Sequence, residues 1–303
     1  MTIAPTTSSD LFIGKKSKLI RGFGRQRALS NLESRRSRFE AEQQREHSEK
    51  LIRYTIANRT LETHFQPIVD LKSGGAVGTE ALARFDHYPL RPPDVWFAEA
   101  ASVGLGVELE LIALDLALEQ LHRLPSGLYL SINASVETIM SVQFQDSLTD
   151  APAERLVLEL TEHTEVDDYR TFERSIHDLR AKGVRLAVDD AGAGFASFRH
   201  ILNLQPDVIK LDIGLTRGID RDPARRALGR ALLSFGMDAY NASIVAEGIE
   251  TKDEFNTLRA LGFSCGQGFY LGRPSRLPLQ RPAALAFQAR RPLEIPSLPV
   301  RRA

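Results

Sequence analysis

Seven polar residues of this chain stand where short apolar runs end, and their types are those that hold divalent cations. Glu80 closes one run and Asn133 follows Ser131-Ile132, while Glu159 interrupts Val157-Leu158-Glu159-Leu160. Asp189 and Asp190 follow Leu186-Ala187-Val188, Glu247 follows Ile244-Val245-Ala246, and Gln267 lies near the start of the last run. One polar group at a strand end would merely meet solvent. Five carboxylates and two amides converging on one mouth would repel one another unless cations neutralised them. Oxygen ligands without clustered Cys or His favour hard cations, so magnesium or manganese is expected before zinc. The adjacent aspartates point to a binuclear centre, because one carboxylate can bridge two ions about 3.5–4 Å apart while its neighbour binds one. Two such ions activate a water and neutralise charge in an in-line displacement at a phosphodiester.

Two cations complete the set. In Val208-Ile209-Lys210-Leu211-Asp212, period-two alternation puts Val208, Lys210 and Asp212 on one face. A lysine pointing into such a mouth needs acidic partners, which Asp212 and the ligand carboxylates would supply; it is either a structural ion-pair partner or the group that positions and deprotonates the attacking water. Glu80, Leu82 and Arg84 likewise share a face, so Arg84 is placed either to offer a forked cation to a phosphate or to form a salt bridge at the rim.

These residues need a frame that brings strand ends together. Apolar runs at 64–71, 76–82, 128–132, 155–160, 184–188, 208–211, 243–246 and 266–270 read as buried strands. Amphipathic stretches at 93–103, 107–124, 169–182, 195–202, 224–239 and 252–261 read as helices, with Lys182-Gly183 a helix stop. Eight strands alternating with helices predict an α/β protein of the TIM (β/α)8 barrel type, whose functional residues gather at the carboxyl ends of the strands. An open doubly wound sheet has little support, because no G-x-G-x-x-G loop follows an early strand.

The 303-residue chain, 43% apolar and 26% charged, has material for a barrel-sized core. Its zero net charge hides an asymmetry: residues 1–39 hold nine basic side chains against two acids, and residues 281–303 hold five against one, leaving the body acidic. Residues 1–50 read as a basic extension, partly disordered or helical, with a lead-in helix from about 36 to 61; residues 51–280 read as the catalytic domain and 281–303 as an irregular Pro/Arg-rich tail. The lone Cys265 excludes an internal disulfide and a cysteine-rich zinc site. No run reaches the roughly 18 apolar residues of a membrane span and no secretory signal opens the chain, so the expected location is the cytoplasm. Basic tails lacking aromatic interleaving beyond Phe23 and Phe39 give no expectation of DNA specificity.

From about Thr63 to Pro274 the sequence resembles the EAL domain family. The resemblance rests on Gln66-Pro67-Ile68-Val69-Asp70, Glu80-Ala81-Leu82 extended to Arg84, Asn133-Ala134-Ser135, Glu159-Leu160-Thr161-Glu162, Asp189-Asp190, Lys210-Leu211-Asp212, Ala246-Glu247-Gly248-Ile249-Glu250 and Gln267-Gly268, in order. It implies a modified TIM barrel that commonly dimerises and hydrolyses the second messenger cyclic di-GMP to the linear dinucleotide pGpG, with two magnesium or manganese ions. It makes Glu80, Asn133, Glu159, Asp189, Asp190 and Glu247 the metal ligands, and Lys210 the residue near the attacking water, with Asp212 and Gln267 in support. It makes Gln66, Leu82 and Arg84 substrate contacts, and Glu162 the anchor of the loop after the double aspartate. That loop departs from the family's Asp-Asp-Phe-Gly-Thr-Gly-Tyr-Ser-Ser: here Ala191, Ala193 and Phe195 remove one ring and two hydroxyls while the turn glycines stay. No Gly-Gly-Asp/Glu-Glu-Phe cyclase signature is present. The alternative within the resemblance is a catalytically weak cyclic di-GMP receptor acting through a protein partner.

Overall fold

The computed structural model describes residues 36, 38–160, 168–192 and 195–279, with backbone only at 195–197. The chain divides into two compact units, Met1–Arg53 and Tyr54–Ala303. Residue 36 and residues 38–58 are helical and make up α1, which ends about three residues short of the expected carboxyl end. Most of the basic extension and all of the 281–303 tail lie outside the described residues.

The second unit holds a closed barrel of eight strands in chain order. They are β1 (Glu62–Asp70), β2 (Ala76–Arg84), β3 (Tyr129–Asn133), β4 (Leu156–Leu160), β5 (Arg185–Ala191), β6 (Val208–Leu211), β7 (Ser243–Ala246) and β8 (Cys265–Gly266). The helices are α2 (Pro93–Ser102), α3 (Gly106–Glu119), α4 (Val136–Ile139), α5 (Val142–Ser147), α6 (Tyr169–Ala181), α7 (Phe195–Leu204), α8 (Ile213–Thr216), α9 (Pro223–Tyr240) and α10 (Lys252–Leu261). One strand breaks the parallel rule expected from alternation: β1 runs antiparallel to both β2 and β8. The five residues Leu71–Gly75 between β1 and β2 can close a hairpin but cannot make the crossover of a dozen or more residues that a parallel pair needs.

Local signals explain the long helices. Asp168 caps α6 by accepting from the amides of Arg170 and Thr171; Phe172, Ile176 and Leu179 recur on its buried face, and Lys182 with Gly183 at φ +105° ends it. Thr251 and Glu254 form a capping box on α10, which stops at Gly262 in the left-handed region. The short helices α4, α5 and α8 were not legible as periodic segments, because four to six residues complete less than two turns; Ser135, Ser141 and Asp212 start them as caps.

Period-two alternation divides each strand between the helix layer and the barrel interior. Outward residues such as Leu130, Leu158 and Leu186 pack under α3 and α6, and Ile209, Leu211 and Ile244 belong to a second outer core with Leu232, Phe255 and Leu258 of α9 and α10. Inside, Ile68, Tyr129, Val157, Ala187, Val208, Val245 and Cys265 form an apolar plug with Val77. Two positions beyond the plug residues of the other seven strands, toward the mouth, stand Gln66, Ser131, Glu159, Asp189, Lys210, Glu247 and Gln267, the step running backward along the inverted β1; on β2 Glu80 stands two beyond Gly78, the partner of Tyr129. A polar layer therefore lies on an apolar floor.

Candidate active site

Lys210 is the centre of that layer. Its side chain comes from β6 and is 1% exposed. The ammonium lies 2.7 Å from Glu247, 2.8 Å from Glu159, 3.3 Å from Asp189 and 3.4 Å from Glu80, carboxylates contributed by four other strands or strand ends. Burial alone would push its pKa down, but the four acids outweigh it and hold the lysine charged, well above its usual value. Asn133 donates to Glu80 at 2.9 Å, and Gln267 donates to Glu80 at 2.6 Å and to the Gln66 side-chain oxygen Oε1 at 3.0 Å. Ser131 donates to Glu159 on the oxygen that Lys210 does not contact.

The carboxylates are not equivalent. Burial raises the Glu80 carboxyl, but the Lys210 charge and the amide donors Gln267 and Asn133 prevail and hold it below the usual range. Glu159, fully buried and facing the charges of Glu80 and Asp189, is pushed up to about 8 despite Lys210. Burial raises Glu247 well above its ordinary value, Lys210 opposing and Asp189 reinforcing the shift. One lysine against five acids leaves an excess of negative charge that only partial protonation relieves, the imbalance that cation binding would correct.

A bulge explains how two successive aspartates reach one mouth. In a regular strand Asp189 and Asp190 would face opposite sides of the sheet. Here the β5–β6 pairing passes from Val188↔Ile209 to Ala191↔Leu211, three steps against two, and Asp190 takes φ +53°, a left-handed conformation that Asp tolerates better than most residues. Its amide donates to Asp189 at 2.9 Å. Oxygens of Asp189, Asp190 and Glu247 then lie within 4.8 Å of one another, so these three carboxylates fit a hard divalent cation.

Two cavities open on the cluster. One of about 280 Å³ is bordered by Gln66, Glu80, Asp189, Lys210, Glu247 and Gln267, with Phe269 at its rim. The other, about 700 Å³ and mostly apolar, is lined by Leu82, Arg84, Phe97, Asn133 and Asp190 among others. The bulge thus sends Asp189 to one cavity and Asp190 to the other.

The sequence model of the EAL domain matches residues 49–274, and no part of the polar layer falls outside that span. This chain belongs to the EAL domain family. It is 31% identical over 236 residues to the bifunctional diguanylate cyclase/cyclic di-GMP phosphodiesterase MucR of Pseudomonas aeruginosa, covering 74% of this chain and 34% of that protein. The chain spans less than half the length of such curated relatives. Among solved structures it is similar to the PaMucR phosphodiesterase in complex with c-di-GMP, at TM-score 0.67 and 29% identity over 76% of this chain and 97% of that one. It is also similar to BlrP1 of Klebsiella pneumoniae in a calcium/cyclic di-GMP complex, at TM-score 0.63 and 27% identity over 71% and 56% of the two chains.

Within this EAL domain the residues expected from sequence divide into three groups. Glu80, Asn133, Glu159, Asp189, Asp190, Lys210, Glu247, Gln66 and Gln267 meet around the polar layer. Leu82 and Arg84 line the larger cavity; the half-buried Arg84 guanidinium donates to the Ala83 carbonyl at 2.8 Å and forms no ion pair among the described residues. Asp212 does not join Lys210: its carboxylate caps α8, accepting from the Gly214 amide at 2.8 Å, because β6 ends at Leu211 and the alternation lapses there. Gln267 follows the last strand rather than lying inside it, since β8 is only Cys265–Gly266. Gly268 then turns the chain at φ +154°, where any Cβ would strike the Ile249 backbone. Glu162 and Ala193 lie outside the described residues, and Ala191 is buried within β5. Ser131 was missed as a site residue, although its place two before Asn133 on an alternating strand was the available signal.

Proposed function

We propose that this chain hydrolyses cyclic di-GMP to linear pGpG with the help of two magnesium or manganese ions. The observation that carries the reading is the cluster of five acids, contributed by four strands or strand ends, around one buried lysine and open to two cavities. The names of the similar proteins support the substrate, and the calcium complex of BlrP1 supports a divalent cation. Glu80, Asn133, Glu159 and Asp189 would hold one ion, with Asp189, Asp190 and Glu247 holding the other. Bound there, the ions would offset the charge of the carboxylates and supply Lewis acidity toward water and phosphate.

The side chains have distinct tasks in this reading. Lys210 orients the attacking water at the centre of the layer and, as a fixed cation in a dry site, stabilises negative charge growing on the phosphate. Gln66 and Gln267 fix the Glu80 carboxylate through their paired amides. Arg84 and Leu82 hold one end of the nucleotide in the larger cavity, where the Arg84 fork can turn from the Ala83 carbonyl to a phosphate. Water adds at phosphorus as one ester P–O bond breaks, so each turnover yields one linear product. Chromatography of cyclic di-GMP incubated with purified protein and manganese or magnesium tests the proposal: pGpG should accumulate, and binding without product would leave a receptor.

A further inference from the structure

Ser131 is a buried hydroxyl inside the barrel with a single function available to it. It sits on β3, beside Glu80 in the β2–β3 register, and is 1% exposed. Its side chain does not cap a helix or close a turn; it donates to Glu159, itself 1% exposed on the neighbouring strand β4. The two Glu159 oxygens are thereby distinguished: one is held by Ser131, and the other lies 2.8 Å from the Lys210 ammonium at the centre of the layer. A carboxylate turns freely about its terminal torsion, which has no sharp minima of its own. Among the described residues the side chains that donate to Glu159 are Ser131 and Lys210, and they hold different oxygens.

We infer that Ser131 is a positioning residue for metal binding: it pins one oxygen of Glu159 so that only the other is presented to the cation. The inference rests on the metal-dependent reading above. Hydrogen bonds from outside the ligand set commonly govern affinity, and their loss typically costs about 10–100-fold. A serine that merely fills space would behave differently, since packing does not depend on the hydroxyl.

The test is binding of Mn²⁺ alone to metal-free full-length protein, followed by calorimetry or by the paramagnetic resonance of free Mn²⁺, with unfolding midpoints measured in chelator. Ser131→Ala should weaken Mn²⁺ binding by about 10–100-fold, and the Mn²⁺ concentration needed for half-maximal turnover should rise in parallel. Ser131→Cys, close in volume but a poor donor, should match it, and Ser131→Thr should keep wild-type affinity. If Ser131→Ala does not fold, the Cys and Thr variants decide between hydroxyl and packing. Wild-type affinity in the Cys variant, or equal weakening in Cys and Thr, would overturn the inference. If the wild-type protein binds no Mn²⁺, the metal reading and this inference fall together; if it binds and the Ala and Cys variants bind as tightly as wild type, only the inference falls.

Discussion

Replacing Lys210 by Met keeps the length of the side chain and removes its charge from a point 2.7–3.4 Å from four carboxylates. At an effective dielectric of about 20 each contact near 3 Å carries about 5 kcal/mol of gross attraction, most of which is offset by desolvating the ions. Removing one partner of a buried ionic set costs about 3–5 kcal/mol because uncompensated charge stays behind. A domain of this size loses about 2–4 °C per kcal/mol, so the metal-free variant should unfold roughly 6–20 °C lower. Mn²⁺ should recover part of that loss, since the orphaned acids are the proposed ligands. Turnover at saturating substrate and metal should still fall about 100-fold, the scale for deleting one preorganised electrostatic group. Scanning fluorimetry with chelator and with Mn²⁺, beside chromatographic turnover, measures all three quantities. An unchanged midpoint in chelator would refute the electrostatic argument, and a lowered midpoint with near-normal turnover would leave Lys210 a structural residue only.

Asp189→Asn should abolish pGpG formation while the metal-free protein unfolds at or above the wild-type midpoint, because one repulsive charge leaves a crowded mouth; a folded and fully active variant would remove Asp189 from the ligands. Exhaustive chelation should stop turnover and readdition of Mg²⁺ or Mn²⁺ restore it, with full activity in chelator as the contrary result. Glu254, buried and accepting from the amides of Gly218, Glu250 and Thr251 at 2.9–3.0 Å, ties the loop after α8 to the start of α10. Glu254→Gln should cost about 1–2 kcal/mol at neutral pH, or about 2–8 °C. Burial tends to raise the Glu254 carboxyl, but the three amides win and hold it below its usual value. Its stabilisation is therefore complete above the unfolded pKa near 4.3 and lost as pH falls through the lower folded value. The gap between wild type and variant should close below about pH 4 in unfolding titrations, and a gap constant with pH would contradict the assignment.

The sequence alone determined what is repetitive or short-range. Eight apolar runs, capped helices and acids at strand ends already specified a barrel with a polar mouth, because strand alternation and helix capping are properties of neighbouring residues. It also singled out Glu80, Asn133, Glu159, Asp189, Asp190, Glu247 and Gln267 as polar residues at or near the ends of apolar runs. Closure of the sheet decided which charges meet. Lys210 and Glu80 are 130 positions apart, and only the barrel brings the four acids around one ammonium while leaving Asp212 outside as a helix cap. The inversion of β1 follows from a connection too short for a crossover, but which side of the barrel it completes is set by its pairing with both β2 and β8. The β5 bulge likewise arises from register against β6, so the delivery of adjacent aspartates to two cavities cannot be read from Asp-Asp by itself. Ser131 shows the same division: alternation aims it inward, and only the neighbouring strand supplies Glu159 for its hydroxyl.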